Sequence, residues 1–195
     1  MLTHLKIISI HLYIFFLSYS LYHSDSLEER PGSLEFVFHA ETIENICEMF
    51  STDIEKGLTT EQAKINRAKS GKNKYNHYEK IMNYTKCKRD GELQNIMSRR
   101  LTVGDIIFLK APQVVPADLR IFEVSADCTV NKSGLSGDSE LKKVSIEKTH
   151  ENPLETQNVV FALTKITTGT CTGIVVNVGK DTIMGQLSGL TSTLG

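Results

Sequence analysis

The feature that most constrains this chain is a series of short β-rich runs in its second half. They are Asp105–Leu109, Leu119–Phe122, Val159–Phe161 and Gly173–Val178, with turn residues between them. A strand that short buries too little apolar surface to stand alone. Several must stack, and their separation by turn residues predicts a compact β unit of short strands. The expectation is an α+β chain, mainly β, with a distorted jelly roll or barrel over residues 101–190. Ile106, Phe108, Leu119, Ile121, Val160, Ile174, Val176 and Val178 are its expected core.

A small helical segment is expected ahead of it, over residues 41–75. Ile43, Ile46, Cys47 and Phe50 recur at helical spacing and share one face. Thr59 followed three residues later by Gln62 fits a capping box. The helix it opens runs from about Thr60 to Lys69, and Gly71 stands where a C-terminal glycine belongs. Residues 25–40, with Ser, Pro and Gly, read as a linker. Residues 76–100 read as a basic linker, and 191–195 as a tail.

Charge is uneven although the whole chain is nearly neutral, with 22 basic and 23 acidic residues. Residues 62–100 hold 11 basic and 3 acidic side chains, against 3 and 10 in residues 1–61. The overall balance argues against a nucleic-acid partner. The basic block reads as a solvated helix and linker, or as a contact for anionic lipid or an acidic partner. Residues 1–24 form a hydrophobic N-terminal segment. Its apolar run, Ile7 to Tyr22, is shorter than the roughly 20 residues that span a bilayer. Signal peptide or signal anchor, membrane-associated helix, and apolar segment without a targeting role are all open readings.

Cys47, Cys87, Cys128 and Cys171 are far apart in sequence, with no C-x-x-C pair and no histidine cluster nearby. They read as reduced thiols in a cytosol-facing chain rather than zinc ligands or a disulfide framework, and no metal site is expected. The six histidines are scattered and read as surface or terminal residues. No phosphate-binding G-x-x-x-x-G-K-[ST] loop, G-x-S-x-G elbow or H-E-x-x-H helix occurs.

Five stretches carry a resemblance. They are Leu101–Lys110, Val115–Ile121, Ser133–Glu140, Glu151–Asn158 and Gly173–Gly185. In that order they resemble the actuator domain of P-type cation-transporting ATPases, and most of all the α subunits of the sodium/potassium and proton/potassium subgroup. Phe50–Ala63 resembles the cytoplasmic N-terminal segment of the same family. The resemblance implies that Ser136, Gly137, Asp138 and Ser139 stand at the family's T-G-E-S loop. There a carboxylate positions and polarises the water that hydrolyses an aspartyl phosphate, a general-base role. Asp138 keeps the carboxylate but reaches about 1.5 Å less far than glutamate. Ala111-Pro112-Gln113 stands where the family usually has Gly-Gly-Asp, and Leu141 where it usually has proline.

The phosphorylated D-K-T-G motif does not occur in these 195 residues, nor do a nucleotide-binding domain and ion-binding helices. The resemblance places ATP and Mg in the full-length family and assigns this chain no cofactor of its own. About 25 residues stand where the family has a two-span membrane hairpin. The expectation is therefore a fragment, splice form or degenerate copy of such an α subunit, at a membrane, without autonomous catalysis. Its partners would be the remaining ATPase domains. The alternatives are a regulatory module docking on an intact α subunit and a non-functional truncated gene product.

Overall fold

The computed structural model describes residues 36–75, 84–136 and 140–192. The apolar run at the N-terminus lies outside them, so its three readings stay as they were. Among the described residues no helix is long and apolar enough to cross a membrane.

Two helices come first, α1 (Ile43–Phe50) and α2 (Thr60–Ser70). Thr42 caps α1 by accepting from the Asn45 N–H at 3.2 Å. Thr59 caps α2 by accepting from the Gln62 N–H at 3.1 Å. Only that half of the expected capping box forms, because the Gln62 amide donates forward to Asn66 Oδ1 at 2.8 Å. Gly71 ends α2 as expected. Ile46 on α1 is fully buried, and removing a side chain of that size from water is worth about 2 kcal/mol.

The β domain follows as β1 (Tyr84–Arg89), β2 (Glu92–Met97), β3 (Ile106–Lys110), β4 (Gln113–Val114), β5 (Asp118–Val124) and β6 (Thr129–Asn131). After a short helix α3 (Ser133–Ser136) come β7 (Leu141–Lys143), β8 (Val159–Val160), β9 (Lys165–Thr168) and β10 (Thr170–Asn177). A final helix α4 (Ile183–Ser192) closes the described chain. The strands form a six-stranded sheet in the order β2-β1-β3-β10-β5-β8 and a four-stranded sheet in the order β4-β9-β6-β7. All strand pairs in both sheets are antiparallel. The chain is α+β and mainly β, as its sequence implies.

The six-stranded sheet has apolar residues on both faces. Leu119 and Ile121 of β5 join Leu109, Val130, Ile166 and Val175 in one cluster. Ile106, Ile174 and Val176 join Phe36, Ile46, Phe161 and Ile183 in the other. Seven of the eight expected core residues are buried, and Phe108 is half-buried. Gly104 seats the helices on this sheet. Its φ is +87°, and a Cβ there would come within 2.8 Å of the Phe50 Cβ. Asn66 locks the same junction, donating to the carbonyls of Phe50 at 2.8 Å and Val103 at 3.0 Å.

Three expected boundaries need correction. Residues 84–97 are not linker: they form the β1–β2 hairpin, and β1 pairs with β3 in the main sheet. Lysines at the solvent-facing positions hide the alternation in which Thr85 and Cys87 point inward. Residues 36–40 are not linker either. Phe36 is buried and makes edge contacts with Phe38 and Phe161, at centroid distances of 5.7 and 5.3 Å. Residues 191 and 192 belong to α4 rather than to a tail.

Candidate functional site

The loop expected to carry the chemistry leaves the end of β6 and returns on β7. These strands pair as Thr129 with Lys143, Val130 with Lys142 and Asn131 with Leu141. The Asn131 side chain accepts from the Ser133 N–H at 2.8 Å, and Leu135 N–H donates to the Lys132 carbonyl at 2.8 Å. These bonds turn the chain into α3, and Leu135 packs on the cluster around Phe161. Ser136 is the last residue of α3. Gly137, Asp138 and Ser139 lie outside the described residues. On the return side, Glu140 pairs with Lys142 at 2.8 Å.

Lys132 fixes the root of the loop, and sequence reasoning missed it. A lysine in the polar run Asn131-Lys132-Ser133 signals a solvated side chain, yet this one is only 5% exposed. Its ammonium donates to the Thr156 carbonyl at 3.0 Å and the Leu154 carbonyl at 3.3 Å, and lies 5.3 Å from the centre of the Phe161 ring. Burial pushes its pKa down to about 8. Lys132 thus ties the loop to the Glu151–Asn158 stretch, itself one of the motifs. That stretch is ordered from within. Asn152 Oδ1 accepts from the Leu154 N–H at 3.0 Å, and the Thr156 hydroxyl donates to Asn158 Oδ1 at 2.9 Å. Asn158 then donates to the His39 carbonyl at 2.9 Å.

Asp118, in the Val115–Ile121 motif, is a second buried charge. Its Oδ1 accepts from the Ala162 N–H and its Oδ2 from the Ile183 N–H, both at 2.9 Å. It therefore caps the start of α4 and joins it to β5. Burial pushes its pKa up to about 7, against the pull of those two N–H groups and the Asn177 side chain. Next to it, Arg120 is 8% exposed and donates through Nη1 to the carbonyls of Ile121 at 2.6 Å and Ile146 at 3.0 Å.

His39 corrects the reading of the histidines as surface or terminal groups. It is 8% exposed, and its Nε2 lies 2.8 Å from the Glu151 carbonyl. All four cysteines are free thiols, and Cys87, Cys128 and Cys171 are buried. Among the described residues no group of three or more His, Cys, Asp or Glu gathers where a metal ion could sit.

A two-sheet β domain presenting a loop from the β6–β7 hairpin, with helices packed on its main sheet, defines a class of protein. Residues 79–192 match the family model of the P-type ATPase actuator domain, and residues 38–102 match that of the cation transporter/ATPase N-terminus. The chain belongs to the P-type ATPases. Within that family it is 46% identical over 107 residues to human potassium-transporting ATPase alpha chain 2. It is 43% identical over 107 residues to the sodium/potassium-transporting ATPase subunit alpha of Hydra vulgaris. The subunit alpha of Tetronarce californica is also 43% identical, over 106 residues. The first two matches cover 55% of this chain and the third 54%, and each covers 10% of the relative's length.

Proposed function

We propose that this chain serves as the actuator module of a sodium/potassium-type or potassium-transporting ATP-driven cation pump. In this reading the Ser136–Ser139 loop is the dephosphorylation loop. Gly137 lets the backbone approach the phosphate. Asp138 holds and polarises the water that attacks the aspartyl phosphate on another domain, and Ser136 takes the place of the threonine hydroxyl. The 195 residues do not hydrolyse ATP by themselves, because the aspartate that would be phosphorylated and the nucleotide site lie elsewhere. The module works at a membrane, on the remaining domains of a pump α subunit.

The observation that best supports this reading is the Lys132 tether. It links the loop-bearing hairpin to the Glu151–Asn158 motif by two hydrogen bonds. A plain surface turn has no need of a buried ammonium at its root. Two experiments test the proposal. Purified chain given radiolabelled ATP should acquire no acid-stable, hydroxylamine-sensitive phosphate. A full-length relative whose corresponding actuator segment is replaced by residues 84–192, with its own membrane spans kept, should retain ATP-driven cation transport. A labelled chain, or a folded chimera without transport, would refute it.

A further inference from the structure

The 3-10 turn Ser98–Arg100, which follows β2, gathers four arginines. Arg67 on α2 donates from Nη1 to the Arg99 carbonyl at 3.1 Å. Arg89 at the end of β1 donates from Nη2 to the Arg100 carbonyl at 3.3 Å. The backbone of this turn therefore draws two guanidinium groups to it while its own two side chains, Arg99 and Arg100, stay exposed.

Only one of the four is neutralised from below. Arg89 makes a two-point pair with Asp105, Nε to Oδ1 and Nη2 to Oδ2, both at 2.7 Å. Asp105 is fully buried and also accepts from the Thr102 N–H at 2.9 Å. Among the described residues no carboxylate forms an ion pair with Arg67, Arg99 or Arg100. Of the two acids in the β1–β2 hairpin, Glu92 is exposed at the start of β2 and Asp90 is engaged by Thr60, whose N–H donates to it at 2.9 Å. The crowding has an electrostatic signature. Arg67 is held below its ordinary value by burial first, then by the charges of Arg89 and Arg100 and more weakly of Arg99, with the Asp105 carboxylate pulling the other way.

Like charges are gathered at a cost, and an anion arriving from outside would relieve it. Planar guanidinium forks suit phosphate oxygens. The form of the anion follows from the form of the site. The open groove of about 990 Å³ on the main sheet, lined by Tyr84, Lys86, Phe108, Lys110 and Glu123 among others, includes none of the four arginines. Arg99 and Arg100 stand on an exposed turn, and Lys69 lies in the last turn of the same α2 that carries Arg67. An exposed, multivalent basic face suits many phosphates spread over a surface better than one enclosed small ligand. We propose that Arg67, Arg99 and Arg100 form a docking face for the phosphate headgroups of an anionic lipid bilayer.

The test is co-sedimentation of the full chain with vesicles. One set is phosphatidylcholine alone, and the other contains about a third phosphatidylserine. Each basic residue at an anionic surface contributes roughly fivefold in partitioning, so Arg99→Ala/Arg100→Ala should bind the anionic vesicles about tenfold to thirtyfold less than wild type. Arg99→Lys/Arg100→Lys should retain most of the binding. On neutral vesicles all three proteins should behave alike, which removes any contribution of the apolar N-terminal run. The difference should vanish in about 0.5 M salt. Equal binding of wild type and the alanine variant to anionic vesicles would overturn the proposal. So would displacement by millimolar inorganic phosphate at matched ionic strength, which would mark a free-phosphate site. Arginine-dependent binding to soluble polyglutamate without binding to vesicles would overturn it in favour of an acidic protein.

Discussion

The anchor of the main sheet and the root of the β6–β7 loop solve the same problem with opposite charges. Asp118 is a fully buried acid, and it takes backbone N–H groups from two elements that meet on β5. Lys132 is a nearly buried base, and it donates hydrogen bonds to two backbone carbonyls beneath the loop. Each satisfies peptide groups that no regular ladder reaches, and each is held away from its ordinary protonation balance by burial. A buried charge can thus serve as a backbone clamp, with its sign chosen by the peptide group left over. A helix start leaves N–H groups and takes an acid, and an irregular stretch such as 154–156 can leave carbonyls and take a base.

The largest break in this comparison should come from Asp118→Ala. It leaves two buried N–H groups without an acceptor, at about 1–3 kcal/mol each. Stability should fall by about 3 kcal/mol or more, measured by urea unfolding, with α4 loosened.

The two clamps should also be separable by pH. Asp118 has a folded pKa of about 7, above its unfolded value, so its contribution is fully present below about pH 4 and is lost as pH rises through 7. Lys132 has a folded pKa of about 8, below the ordinary lysine value, so the folded state gains stability as pH rises from about 8 toward 10.5. Their sum is a trough between about pH 7 and 8, on the order of a few kcal/mol deep. In urea melts across this range, Asp118→Asn should flatten the acid limb alone and Lys132→Met the alkaline limb alone. A variant that flattened both limbs, or neither, would break the assignment.

At pH 7, Lys132→Met should cost less than Asp118→Ala, about 1 kcal/mol. The methionine refills the apolar space but leaves the Leu154 and Thr156 carbonyls without their donor. The smallest effect belongs to the loop itself. Asp138→Ala should change the melting transition by no more than about 0.5 kcal/mol, as expected of a polar residue in a hydrophilic Gly-Asp-Ser run.

How far the sequence disclosed all this depended on the length of each apolar signal. The run at 105–109 contains Ile106-Ile107 and the run at 173–178 contains Ile174-Val175-Val176, and both lie in strands close to the expected bounds. The β1–β2 hairpin escaped because its inward positions, Thr85 and Cys87, are weakly apolar and sit between lysines. One local signal could have exposed it. Asp90-Gly91 is the dipeptide that favours a tight hairpin turn, and both residues have positive φ, 52° and 78°. Phe36 was obscured by the Pro31-Gly32-Ser33 run just before it. At the site, the motif residues were legible as a string, but the clamps were not. Nothing local distinguishes Lys132 from a solvated lysine, because its carbonyl partners come from more than 20 residues away.

The central claim is that the Ser136–Ser139 loop acts in dephosphorylation, and its most direct measurement is phosphoenzyme decay. The segment is placed in a full-length relative with Asp138, with Asp138→Glu and with Asp138→Ala. A misplacement near 1 Å can cost on the order of a hundredfold in rate. The glutamate chimera should therefore decay fastest, the aspartate chimera more slowly, and the alanine chimera slowest, with closely similar melting temperatures. Equal decay rates in all three would contradict the account and leave the loop a simple turn.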